Sequence, residues 1–153
     1  MAFVWTPDLL CRVRDYPHLL GHMVGKTKLT ELHSDWIKLV WDTQPGKHFS
    51  LMSHRGAYKT TAITEMGIIY HLLFHPSDRI ALIRETYTEA AKTLDTIKKY
   101  MESPALKSLF AFAHHKEPFA VRSPEGSVLY SFKRTGTEEN RIEACGINHE
   151  PTG

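Results

Sequence analysis

Hydrophobic residues recur at helical spacing in several stretches of the chain, each preceded by a residue that favours a helix start. The first predicted helix follows Thr30 and ends near Asp42. The second opens at Lys59, directly after a loop of small and polar residues. The third begins at Thr86 and Glu89, which have the spacing of a capping box. The pattern therefore predicts three amphipathic helices in the first two thirds of the sequence.

Short apolar runs bounded by turn residues predict β-strands between and after these helices. Residues 48–52 form one such run and residues 80–83 another. Alternating apolar residues at 119–132 surround a Pro-Glu-Gly turn and predict a hairpin, and residues 142–144 suggest a further strand. Strands alternating with helices predict an α/β fold, with a parallel sheet flanked by helices and a short antiparallel hairpin in the C-terminal third.

Composition and charge exclude several classes of protein without selecting a function. The 153 residues are 42% hydrophobic and 24% charged, as in an ordinary globular domain. The net charge is only +2, with no cluster of Lys or Arg, so any contact with DNA must rest on a few placed cations. Cys11 and Cys145 form neither a disulfide framework nor a zinc motif. No signal peptide is evident, and no apolar run is long enough to span a membrane.

The segment from Ser53 to Thr60 has the features of a phosphate-binding loop, because it lies between a predicted strand and a predicted helix. In such loops a lysine reaches the β- and γ-phosphates and the next Ser or Thr binds Mg²⁺, and Lys59 and Thr60 fit these places. Ser53 and Tyr58 stand where the pattern G-x-x-x-x-G-K-[ST] has glycines. We expect Tyr58 to keep a negative φ and to point away from a nucleotide. The alternative is a plain turn between a strand and a helix.

Residues 51–61 also resemble the ATPase loop of the large terminase subunit of tailed bacteriophages. That family has an arginine four residues before the lysine, and Arg55 occupies this place. Residues 81–87 with 89–91 resemble the second strand and following helix of the family, and residues 126–130, 141–147 and 151–153 resemble the stretch before its acidic motif. The resemblance begins near Leu29 and runs to the end of the sequence.

The resemblance implies the ATPase domain of a motor that couples ATP hydrolysis to translocation of DNA into a procapsid, with the P-loop NTPase fold. It implies that ATP and Mg²⁺ are the cofactors, that Arg55 is catalytic, and that Thr60 holds the metal ion. The residues implied to bind ATP are Ser53, His54, Arg55, Gly56, Ala57, Tyr58, Lys59, Thr60 and Thr61. The implied partners are double-stranded phage DNA, the small terminase subunit, the portal protein and further copies in a motor ring. The implied location is the cytoplasm of the host bacterium, with no membrane association.

The resemblance further divides the chain into an N-terminal extension at residues 1–28 and a partial ATPase domain at residues 29–153. In the family an acidic Walker B motif and a nuclease domain come after this point. We therefore expect the chain alone to hydrolyse ATP poorly. Two alternatives stay open, namely a P-loop kinase or nucleotide transferase, and a truncated, inactive fragment that binds a nucleotide or a partner.

Overall fold

The computed structural model describes residues 4–76, 78, 80–114, 128–130 and 141–146. Helices predominate in this part of the chain, and one of them is a π-helix that continues directly into α4. In chain order the elements are α1 (Pro7–Asp15), α2 (His18–Met23), α3 (Glu31–Trp41), the π-helix (Thr60–Met66), α4 (Gly67–Phe74), β1 (Ile80–Arg84), α5 (Tyr87–Met101), α6 (Pro104–His114), β2 (Val128–Tyr130) and β3 (Arg141–Gly146).

The helix starts predicted from the sequence are confirmed where a polar side chain caps the first turn. Thr30 is the N-cap of α3, and its side chain and that of His33 form a reciprocal capping box. Thr86 is the N-cap of α5, and its hydroxyl accepts a hydrogen bond from the Glu89 N–H at 3.3 Å. The helix predicted to open at Lys59 is also present, with Lys59 as its N-cap residue.

The chain forms two compact units, of which the first comprises residues 1–71. In this unit α2 packs against α3, and both contact the π-helix. Its core is made of apolar side chains that are nearly or fully shielded from solvent: Val13, Leu20, Leu29, Ile37, Ala62, Met66, Ile68 and Ile69. Burial of one such aliphatic side chain contributes roughly 1.5–3 kcal/mol, so this core is the main source of the unit's stability.

The second unit comprises residues 72–153, and its described part contains a small mixed sheet. The strand order is β1-β3-β2, with β1 parallel to β3 and β2 antiparallel to β3. Helix α5 contacts β1, β3 and α6. Its buried apolar side chains recur at helical spacing, and they are Ala90, Leu94, Ile97 and Met101.

The predicted fold class, a P-loop NTPase-like parallel sheet flanked by helices, is wrong. The described chain is mostly helical, and the strand predicted at 48–52, directly before the loop, is not formed. Phe49 and Met52 are 44% and 91% exposed, so these side chains enter no core, and the run pairs with none of the strands that the structure describes. The first arm and the turn of the predicted hairpin, within 115–127, lie outside the described residues. Its second arm contains β2, which pairs with β3.

The membrane prediction can be compared with the helices that the structure describes. Within the described ranges, none of them combines the length and the apolar character needed to cross a bilayer. Helix α5, for example, has 15 residues, against about 20 needed to span the hydrocarbon core.

Candidate functional site

Nine consecutive residues from Ser53 to Thr61 line one concavity in the first unit, with a volume of about 640 Å³. These are the same nine residues for which the resemblance implies nucleotide binding. Ligand sites for small molecules commonly have volumes of roughly 300–1,000 Å³, so the concavity is large enough for a nucleotide. The structure therefore brings the whole predicted set together around one space.

The backbone of this loop is shaped by two residues with positive φ angles, Gly56 at 88° and Tyr58 at 53°. The expectation that Tyr58 keeps a negative φ is wrong. Tyr58 occupies the left-handed region that a glycine takes freely, at a cost for a side-chain-bearing residue of roughly 1–2 kcal/mol. The Tyr58 side chain is 40% exposed, so the conformation is not forced by burial of the ring. At position 58 the loop therefore has a backbone conformation typical of glycine, although the residue is a tyrosine.

The electrostatic character of the loop favours an anion. The sequence between Asp42 and Glu65 contains Lys47, Arg55 and Lys59 and no acidic residue. Arg55 and Lys59 are both exposed, and among the described residues neither has a charged partner. The helix formed by the π-helix and α4 also begins at the loop, and a helix N-terminus carries a partial positive charge. The charges of Arg55 and Lys59, which both line the concavity, add to that of the helix N-terminus.

Helix α3 holds the loop and the following helix through two buried or half-buried side-chain donors. The His33 ring lies 3.1 Å from the Ala57 carbonyl through Nε2, and the Trp41 indole N–H donates to the Ile63 carbonyl at 2.8 Å. These two side chains are about 12 Å apart along the axis of α3, given a rise of 1.5 Å per residue. They therefore hold one backbone carbonyl before Lys59 in the sequence and one after it.

A third link from the end of α3 reaches α4. The Tyr70 hydroxyl donates to Asp42 Oδ2 at 3.0 Å. Burial, followed by the hydrogen bond to Asp42, raises the pKa of Tyr70, so the phenol keeps its proton and stays a donor throughout the ordinary pH range. The Trp41 ring also lies directly against Gly67, where any Cβ atom would collide with the indole. Close packing of this kind fixes the helix that begins at the loop.

Ser53 contributes a buried hydroxyl that has no hydrogen-bond partner in the described part of the chain. An unsatisfied buried polar group costs roughly 1–3 kcal/mol, and such groups are rare in folded proteins. Ser53 also lines the concavity.

Reasoning from the sequence missed His33 and the role of Trp41. The motif at the loop is local, whereas His33 precedes Ala57 by 24 positions and Trp41 precedes Ile63 by 22. One signal was present, because His33 follows the N-cap Thr30 by three residues, where a capping box usually has Glu or Gln.

The histidine pair of α2 has a structural role in packing this helix on its neighbours. The Ser34 hydroxyl accepts from the His18 N–H at 2.9 Å and lies 2.7 Å from His18 Nδ1. The His22 ring binds the Leu29 carbonyl at 2.7 Å through Nε2. Among the described residues, no group of three His, Cys, Asp or Glu side chains is arranged to hold a metal ion.

Comparison with known proteins adds no relative to this picture. No family model, no curated protein and no solved structure matches the chain. The resemblance to terminases within residues 29–153 therefore stays a prediction from the sequence.

Proposed function

We propose that the chain binds ATP with Mg²⁺ at residues 53–61 and is the ATP-binding part of a phage DNA-packaging motor, a large terminase subunit. The observation that carries the proposal is the concavity itself. All nine residues expected to bind the nucleotide line it, in a segment that is rich in cations and free of acids. A triphosphate has the opposite charge to this segment, and a helix begins where its phosphates would lie.

Each polar side chain of the loop has a distinct role in this proposal. Lys59 binds the β- and γ-phosphates as a flexible point charge, and Arg55 stabilises negative charge that develops at the γ-phosphate. The backbone amides of the loop bind the remaining phosphate oxygens. The two positive φ angles, at Gly56 and Tyr58, turn the backbone at two places in the loop, and turns of this kind favour concave arrangements of peptide N–H groups.

Mg²⁺ fits this site only together with the nucleotide. Thr60, the first residue of the π-helix, is exposed and offers one hydroxyl oxygen, whereas residues 53–61 offer no carboxylate. Mg²⁺ usually keeps several waters and is held by few protein ligands plus substrate phosphates. When bound, the ion would neutralise charge on the β- and γ-phosphates. We expect Mg²⁺ alone not to bind measurably to the loop.

The binding step is tested by isothermal titration of Mg-ATP into the wild-type chain and two lysine variants. Lys59→Ala should weaken binding at least about tenfold, because it removes a charge-assisted contact to the phosphates. Lys47→Ala is the matched control, since Lys47 is exposed, lies in the same acid-free segment and does not line the concavity. Equal affinities of the wild-type chain and Lys59→Ala would exclude the site.

The motor function is tested in the phage whose genome encodes the chain. In this proposal the protein acts in the host cytoplasm with double-stranded DNA, the small terminase subunit, the portal protein and further copies of itself. A phage carrying Lys59→Ala should accumulate unpackaged DNA and empty procapsids, whereas Lys47→Ala should package normally. Normal packaging by a Lys59→Ala phage whose protein has lost ATP binding would contradict the motor role and favour another use of the nucleotide.

A further inference from the structure

His33 uses both ring nitrogens, and each partner fixes the role of the nitrogen that it faces. The Thr30 N–H can only donate, and it lies 3.0 Å from Nδ1, so Nδ1 is the acceptor. The Ala57 carbonyl can only accept, and it lies 3.1 Å from Nε2, so Nε2 carries the hydrogen. The ring is therefore neutral with its proton on Nε2, and it joins the first turn of α3 to the loop.

The surroundings of His33 leave the ring little freedom to turn. Its side chain is 7% exposed, and the Trp36 ring lies edge-on with the centroids 5.0 Å apart. His33 also sits at the third position of α3, where the helix backbone fixes its Cβ direction. A buried donor held in this way sets the position of its acceptor, the Ala57 carbonyl.

The position of the Ala57 carbonyl decides the direction of the next amide. In a planar trans peptide the C=O and the following N–H point in opposite directions, so the Tyr58 N–H is directed away from His33. The Tyr58 carbonyl is also held, because it accepts from the Ala62 N–H at 2.8 Å. The peptide groups on both sides of Tyr58 are thus fixed, and both Ala57 and Tyr58 line the concavity.

We propose that His33 is a positioning residue of the nucleotide site, which orients the Tyr58 amide toward a phosphate oxygen by holding the Ala57 carbonyl. This role rests on the proposed function. His33 itself touches neither the nucleotide nor the reacting atoms. It acts through one hydrogen bond, so its loss should weaken Mg-ATP binding by the factor that one hydrogen bond supplies, about 5- to 10-fold.

Two substitutions separate the loop contact from the helix cap. Asparagine places an oxygen close to the position of Nδ1, so His33→Asn keeps the acceptor for Thr30 and loses the donor to Ala57. Glutamine reaches further and places an amide N–H close to the position of Nε2, so His33→Gln keeps a donor to Ala57. We expect Mg-ATP to bind about 5- to 10-fold more weakly to H33N and within about 2-fold of wild type to H33Q.

Limited trypsin digestion measures how easily the loop opens in the absence of a nucleotide. Trypsin cleaves after Arg55 and Lys59 inside the loop and after Lys47 outside it. H33N should be cleaved about 5- to 10-fold faster in the loop and at the wild-type rate after Lys47. Faster cleavage at Lys47 as well would mean that the first unit has lost its fold. In that case the proposal is tested on the wild-type protein, where the ¹⁵N chemical shifts of His33 show which ring nitrogen carries the proton.

The outcomes distinguish this inference from the proposed function. A wild-type chain that does not bind Mg-ATP contradicts the proposed function and, with it, a role of His33 at a nucleotide site. A wild-type chain that binds Mg-ATP while H33N binds equally well contradicts the positioning role alone. A proton on Nδ1, or unchanged cleavage after Arg55 and Lys59 in a folded H33N, contradicts it too. The Nε2–H tautomer with selective loosening of the loop supports it.

Discussion

Tyr58 gives the sharpest quantitative prediction, because it holds a backbone conformation that only glycine adopts without cost. Among the described residues it is the only non-glycine residue with a positive φ, at 53°. Tyr58→Ala keeps the unfavourable φ and removes the ring, whereas Tyr58→Gly removes the cost of the left-handed conformation. Comparing these two variants with each other cancels the loss of the phenol, which is 40% exposed in the folded protein.

The expected difference follows from two opposing terms. The left-handed conformation costs a non-glycine residue roughly 1–2 kcal/mol. Glycine in turn loses more chain entropy on folding than alanine, by roughly 0.5–1 kcal/mol. Tyr58→Gly should therefore have a free energy of unfolding about 0.5–1 kcal/mol higher than that of Tyr58→Ala. In a unit that comprises residues 1–71, a difference of this size shifts the midpoint of thermal unfolding by about 2–8 °C.

The assay is urea unfolding followed by tryptophan fluorescence, with the slope of the transition checked for constancy among variants. All three tryptophans, Trp5, Trp36 and Trp41, lie in the first unit with the loop, so the signal reports that unit. His54 is the matched control, because it is exposed in the same loop and its φ is not positive. There the order should reverse, with alanine about 0.5–1 kcal/mol more stable than glycine. The same order at both positions would refute the reasoning.

Two further predictions concern the packing of the first unit. Gly67→Ala should lower the free energy of unfolding by about 1–3 kcal/mol, because the new Cβ displaces the Trp41 ring and breaks its hydrogen bond to the Ile63 carbonyl. A variant with wild-type stability and unchanged indole fluorescence would contradict this packing. Burial lowers the pKa of His18, so the folded state resists its protonation. The free energy of unfolding is therefore at its full value above pH 6.5, about the pKa of histidine in the unfolded chain, and falls as the pH is lowered below it. His18→Asn should remove this fall from the pH profile of the free energy of unfolding. An unchanged profile would show that another group is responsible.

The elements that could be predicted from the sequence are those with a local physical cause. Thr30 and Thr86 cap the helices that follow them, and the apolar run at Ile80 forms β1. In each case the signal and the structure that it causes lie within a few residues. The start of the helix at Lys59 was predictable in the same way, whereas the binding role of residues 53–61 stays a prediction.

The errors arose where the structure depends on distant partners. The run at residues 48–52 has the composition of a strand, but a strand needs a neighbour for its backbone, and this run is left exposed. A parallel sheet was inferred from alternating elements without knowledge of which strands pair. The negative φ expected for Tyr58 followed from sterics alone. It neglected the neighbouring contacts, which can hold a residue in a costly conformation.

Two hydrogen bonds next to Tyr58 explain how its strained backbone conformation persists. This explanation can be tested by combining substitutions at positions 33 and 58 in a double-mutant cycle. His33 holds the carbonyl before Tyr58, and the Ala62 N–H binds the carbonyl of Tyr58 itself. Strain survives only where its surroundings over-determine the geometry. If His33 is one of the two restraints, H33N lets position 58 relax to a negative φ.

In that background glycine has no strain to relieve and keeps only its entropic cost. The stability advantage of Tyr58→Gly over Tyr58→Ala should then disappear or reverse, a coupling of about 1 kcal/mol in a double-mutant cycle. An unchanged advantage in H33N would mean that the two sites are independent and that something other than His33 holds Tyr58 in place. Coupling of this size would show instead that a helix far upstream in the sequence sets the backbone of the candidate nucleotide loop.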